Sequence, residues 1–197
     1  PLEPNPAGTG EDPVDDLAGL SKLFEQEEAE NTAVEDEDDQ DQSSGAFDDE
    51  GPRLLVINGP NINMLGIREP DLYGTCTYDD LLVVCKQVAK EVGFSECSCF
   101  QSNHEGDLVD RIQDAYQVYD GIVINPGAYT HTSIAILDAL KAVRIPAIEV
   151  HISKLDEREN FRQVSYVRLA CFETIAGLGV EGYRRAIKDM ASHLASL

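Results

Sequence analysis

Tyr73, His131, His151, Arg68, Arg158 and Arg162 lie in three polar stretches, each following an apolar run. The first is Asn58-Gly59-Pro60-Asn61, continuing through Arg68-Glu69-Pro70 to Tyr73-Gly74. The second is Asn125-Pro126-Gly127-Ala128, then Tyr129-Thr130-His131-Thr132-Ser133. The third is Glu149-Val150-His151-Ile152-Ser153, with Arg158 and Arg162 beyond it. Guanidinium groups among neutral amides and hydroxyls suit a ligand with one carboxylate and several hydroxyls. A phenol and an imidazole in one set form a candidate base and acid. A free phenol, with a pKa of about 10, is a poor base at neutral pH unless a nearby cation favours the phenolate. Arg68 lies on the same loop as Tyr73 and could be that cation.

Each residue alone has a plainer explanation. Thr130 reads as a helix N-cap and His131 as a first-turn surface residue. Tyr73 could pack in a Gly/Pro loop. Arg158 and Arg162 stand four apart and could form a solvated face. Asn58-Gly59-Pro60-Asn61 could be turn chemistry. His151 resists such a reading, because it ends a buried strand where an apolar residue is the default. The common position of these groups, just past apolar runs, favours a site.

The elements that must position them follow from periodicity. Leu54-Leu55-Val56-Ile57 is a continuous apolar run, as expected for a parallel strand covered on both faces. Thr77 with Asp80 resembles a capping box opening a helix that runs to about Val92 and stops at Gly93. A strand is expected over Phe94–Phe100 and a helix over His104–Tyr119. Strand three is Gly121–Ile124, followed by a helix over Thr130–Val143. Strand four is Ala147–Val150. A helical turn is expected near Glu157–Phe161, a weak fifth strand over Glu173–Ala176, and a closing helix over Val180–Leu194. This alternation predicts an α/β fold: a flavodoxin-like five-stranded parallel sheet of order 2-1-3-4-5 with helices on both faces. Ligands of such sheets bind beyond the carboxyl ends of the strands, at the switch point between strands one and three.

Composition narrows the function classes. The 197-residue chain has a net charge of -22, and residues 1–51, with 18 acidic residues against one lysine, carry -17 of it. The rest carries only -5. Domain boundaries are therefore expected at 1–51 for an acidic, disordered tail and 52–197 for the folded domain. Within the tail, Leu17, Leu20 and Phe24 stand at helical spacing. The acidity argues against nucleic-acid binding. No apolar run approaches a membrane span and no secretory pattern opens the chain. Five cysteines without a CxxC pair fit reduced thiols and a cytoplasmic location. Gly177-Leu-Gly179-Val-Glu-Gly182 matches a dinucleotide fingerprint, but it follows the last strand, where no further βα pair remains. It reads as a tight strand-to-helix junction. His131 and His151 have no placed third ligand beyond Glu149, so no metal and no cofactor are expected. The competing readings are a non-catalytic hydroxy-acid binding module whose acidic tail recruits a partner, and a flavin or nucleotide binder.

From about Leu54 to Leu194 the chain resembles type II 3-dehydroquinases (3-dehydroquinate dehydratases). The resemblance rests on NGPNINMLGIREPDLYG, QSNHEGDLVDRI, INPGAYTHTSIAILDAL, IEVHIS and the downstream pair Arg158 and Arg162. It implies the dehydration of 3-dehydroquinate to 3-dehydroshikimate by anti elimination through an enolate, in the shikimate or quinate pathway. It implies trimers assembled as a dodecamer. It places the base on Tyr73, a transition-state arginine on Arg68, and a water-orienting asparagine on Asn61. The general acid falls on His151, with Glu149 beside it. Substrate-binding positions fall on Asn125, His131, Ile152, Ser153 and Arg162, a mobile arginine on Arg158, and a residue offered by a neighbouring subunit on Asp138. The chain departs from the pattern at Lys154-Leu155-Asp156, Gln163-Val164 and Phe172.

Overall fold

The structure, a computed structural model, describes residues 51–67, 76–154 and 164–197. The expectations for the acidic tail and for the turn near Glu157–Phe161 lie outside these residues. Five strands form one parallel sheet: β1 (Arg53–Asn58), β2 (Glu96–Gln101), β3 (Gly121–Asn125), β4 (Ala147–His151) and β5 (Glu173–Ala176). Their order is β2-β1-β3-β4-β5, the flavodoxin-like order. Helices α1 (Tyr78–Glu91), α2 (Glu105–Asp114), α3 (Ile134–Val143) and α4 (Glu181–Leu194) connect or close the sheet.

The pleat of β1 sorts the core into two halves. Leu54 and Val56 pack with Leu81 and Val88 of α1 and with Tyr183, Ile187 and Met190 of α4. Leu55 and Ile57 pack with Leu108 and Ile112 of α2 and with Ile136 and Leu140 of α3. β1, β3 and β4 are covered on both sides, which explains their unbroken apolar runs. Asn58, Asn125, Glu149 and His151 interrupt these runs, and all four are buried.

Local chemistry fixes the helix ends. Thr77 and Asp80 make a reciprocal capping box at the start of α1. Two boundaries differ from the periodicity. α2 stops at Asp114 rather than Tyr119, because the chain turns through Gln117 in the left-handed region at φ 60°. α3 starts at Ile134, capped by the Ser133 hydroxyl, and not at Thr130. Residues Gly127–His131 instead form a 3-10 turn that carries the Thr130 side chain inward.

Candidate active site

The switch point between β1 and β3 brings two asparagines side by side, since Asn58 and Asn125 are register partners. The loops above them approach closely. The Gly59 N–H donates to the Asn125 carbonyl at 2.7 Å. A Cβ at Gly59 would stand 2.5 Å from the Pro126 carbonyl oxygen, so glycine is required there. The Asn125 amide is held at both ends. Its Oδ1 accepts from the Gly127 N–H at 3.2 Å, and its Nδ2 donates to the Tyr183 hydroxyl at 2.8 Å. Tyr183 in turn donates to Asn58 Oδ1 at 2.6 Å. Burial holds this phenol well above its usual range, so it remains a neutral donor and acceptor.

At the end of β4, Glu149 and His151 share one face of the strand, as alternation requires. His151 Nε2 lies 2.9 Å from Glu149 Oε1, within ion-pair distance but off the line of a hydrogen bond. Glu149 is fully buried. Its carboxylate accepts from the Thr130 hydroxyl and from Ser165 Oγ, at 2.9 Å to Oε1 and 3.0 Å to Oε2. Thr174 Oγ1 is a more distant donor at 3.4 Å. Burial alone would push the carboxyl up, but His151 and the hydroxyl donors outweigh it and hold the group below its ordinary range. Glu149 is therefore a carboxylate at neutral pH and a counter-charge for a protonated imidazole.

The segment Val164–Ser165–Tyr166 is stitched to the 3-10 turn. Tyr166 N–H donates to the Thr130 carbonyl at 2.8 Å. The Thr130 and Ser165 hydroxyl oxygens are 2.7 Å apart, and His131 Nδ1 lies 2.6 Å from the Val164 carbonyl oxygen. One short stretch thus anchors both His131 and the group beneath His151.

The glycines after β5 have a structural task. Gly177 and Gly179 both adopt positive φ, 79° and 59°. Their N–H groups donate to the carbonyls of His151 at 3.1 Å and Ile152 at 3.0 Å. These bonds pin the carbonyl side of the backbone next to Ile152 and Ser153. The fingerprint-like motif is the strand-to-helix junction expected of it, and it braces the loop after β4.

Asn61 begins a 3-10 turn in the left-handed region, at φ 67°, a conformation asparagine tolerates. Its N–H donates to Asn103 Oδ1 at 2.9 Å, and Gln101 Nε2 reaches the Gly59 carbonyl at 3.2 Å. The loop after β2 is thus the support of the Asn61 loop. Asp138 is exposed on α3. Arg68, Tyr73, Arg158 and Arg162 lie outside the described residues. Among the described residues, no group of three or more His, Cys, Asp and Glu side chains is placed to hold a metal ion.

Thr130 is corrected from helix cap to carboxylate donor. Ser165, Thr174, Tyr183 and Asn103 were not singled out from the sequence. Of these, Asn103 alone fell within a quoted string, QSNHEGDLVDRI.

Comparison with known proteins gives a consistent result. Residues 52–191 match the family model described as dehydroquinase class II. A 3-dehydroquinate dehydratase of Rhodopseudomonas palustris is 53% identical over 142 residues, covering 72% of this chain and 93% of that protein. An Aspergillus flavus protein named catabolic 3-dehydroquinase 2 is 49% identical over 146 residues, covering 74% and 97%. Among solved structures, the type II dehydroquinase of Butyrivibrio crossotus aligns with a TM-score of 0.69 and 51% identity, covering 72% of this chain and 98% of that one.

Proposed function

The chain belongs to the class II dehydroquinase family, and on that premise we propose that it is a hydro-lyase that dehydrates 3-dehydroquinate to 3-dehydroshikimate. The observation that carries the reading is the buried Glu149–His151 pair at the carboxyl edge of β4.

We assign the steps as follows. Tyr73, as phenolate favoured by Arg68, removes the weakly acidic proton α to the ketone. The electron pair passes to the carbonyl oxygen as an enolate, near which Asn61 orients a water. Collapse of the enolate expels the β hydroxyl, which takes a proton from His151 and departs as water. Glu149 Oε1 faces His151 Nε2, which leaves Nδ1 to deliver that proton. Asn125, His131, Ser153, the Ile152 backbone and Arg162 hold the hydroxyls and carboxylate, and Arg158 closes on them. The pinned carbonyls beside Ile152 and Ser153 support this reading, because they fix the backbone whose amides would meet an anion.

We propose further that the chain assembles as trimers within a dodecamer, with Asp138, exposed on α3, offered to a neighbouring copy. Cysteines 76, 85, 97, 99 and 171 are all free thiols, which supports a cytoplasmic location. Residues 1–51 are assigned as an acidic tail outside the catalytic domain.

The test is absorbance of the conjugated enone on adding 3-dehydroquinate to the full chain, with and without EDTA. Equal turnover in both is expected, and a folded sample without turnover overturns the reading. Tyr73→Phe should abolish the signal; substantial residual rate removes Tyr73 from its role. Light scattering decides the assembly.

A further inference from the structure

We propose that Ser165 is a positioning residue for proton delivery, holding the Glu149 carboxylate so that Oε1 faces His151 Nε2. This rests on the dehydratase reading above and adds to it a residue that does not touch substrate.

Ser165 Oγ accepts a hydrogen bond from the Arg168 backbone N–H at 3.0 Å. A backbone N–H cannot turn away, so it occupies one lone pair of the hydroxyl and directs the single Ser165 hydrogen elsewhere. The acceptors in reach are both Glu149 oxygens, at 2.9 and 3.0 Å, and Thr130 Oγ1 at 2.7 Å. Thr130 itself donates to Glu149 Oε1. The carboxylate thus meets hydroxyl donors on one side and imidazole on the other. A bare buried carboxylate would rotate or take up a proton. Ser165 counters both outcomes, because its one hydrogen lies within reach of both oxygens and is shared between them. Ser165 is itself buried, and both of its backbone neighbours are bonded to the 3-10 turn. The hydroxyl is therefore held in place from two directions.

Thr130 shares the task but caps only one oxygen, so it can strengthen the carboxylate without fixing its rotation. Ser165, contacting both, sets the plane. A defect here should slow the step that uses His151 and leave substrate binding intact, since Ser165 bonds to no assigned substrate contact through its side chain.

The experiment measures kcat and KM for wild type, Ser165→Ala, Ser165→Thr, Glu149→Gln and the Ser165→Ala/Glu149→Gln double variant, all in the full chain. Loss of a hydrogen bond to a charged group predicts a kcat for Ser165→Ala about 10-fold or more below wild type, with KM within about 2-fold. Ser165→Thr keeps the hydroxyl and should recover most of the rate. In the Glu149→Gln background, the serine substitution should have little further effect, because both act on one group. A merely structural role would instead give additive losses and a changed KM. Should Ser165→Ala fail to fold by circular dichroism, Ser165→Cys, a weaker donor of similar size, takes its place with its own double variant under the same two expectations. Unchanged kcat, or fully additive losses, overturn the proposal alone. An inactive wild type overturns the dehydratase reading and the proposal with it.

Discussion

The amino and carboxyl sides of the sheet each hold a strand carboxylate, Glu96 and Glu149, and they treat it differently. At the amino edge, Glu96 of β2 meets Arg53 of β1, the Ser98 hydroxyl and the Tyr119 hydroxyl. The pair is open to solvent, with side chains 43% and 35% exposed. Arg111 stacks over Tyr119 and donates to its hydroxyl. At the carboxyl edge, Glu149 is 0% exposed. Its neighbour is the His151 imidazole, a cation only when protonated. A permanent guanidinium suits a carboxylate whose task is to tie two strands together. An imidazole partner suits the proton transfer proposed for His151. The edges differ less in residue type than in burial and in whether the counter-charge is fixed.

The sharpest way to break this comparison is to neutralise each carboxylate in turn. Glu149→Gln should lower kcat roughly 100-fold or more, since it removes the counter-charge and turns an acceptor into a donor among donors. Glu96→Gln should leave kcat unchanged. Comparable losses in steady-state assays of the two variants would erase the distinction.

Next in size is Tyr183→Phe. It leaves Asn125 Nδ2 and Asn58 Oδ1 buried without their shared partner. A cost of about 1–3 kcal/mol in denaturant unfolding is expected, with a raised KM because the Asn125 amide is released. An unaltered KM would sever Tyr183 from the site.

The pH dependence of stability should also separate the edges. Glu149 is held below its ordinary range, by His151 and the hydroxyls against the opposing effect of burial. Its stabilising contribution is therefore present above the unfolded value of about 4.3 and is lost as pH falls through the lower folded value. Glu96 is also lowered, first by Ser98, so the sign is the same, but exposure screens it. The acid fall in thermal midpoint should be visibly shallower in Glu149→Gln than in wild type, and nearly unchanged in Glu96→Gln. The smallest effect belongs to Arg53→Gln, a shift in midpoint of about a degree or two with unaltered activity.

Much of this was legible in the chain itself. Buried strands read as apolar runs, and His151 stood out because it broke one. The Thr77–Asp80 cap was visible at its fixed spacing. What escaped depended on contacts between distant segments. Tyr183 is 58 residues from Asn125 and falls on the apolar face of an amphipathic helix, where a tyrosine looks like packing. Ser165 sits in a polar stretch where one hydroxyl is like another. Thr130 misled because serine and threonine before an apolar run are usually caps, whereas here Ser133 took that role and the 3-10 turn rotated Thr130 inward. The early end of α2 followed from a left-handed Gln117, a residue type that does not announce such a turn.

The stitch between residues 130–131 and 164–166 bears on how the molecule loosens. Its bonds join two segments of irregular backbone, and neither lies in the sheet ladder. Local opening of one therefore releases the other. The anchor of His131 and the donors to Glu149 are lost in the same event, so on the proposed roles substrate binding and proton delivery fail together. In hydrogen exchange, a ligand in the cleft should slow the Tyr166 amide together with those of the turn it clasps, as one cooperative unit.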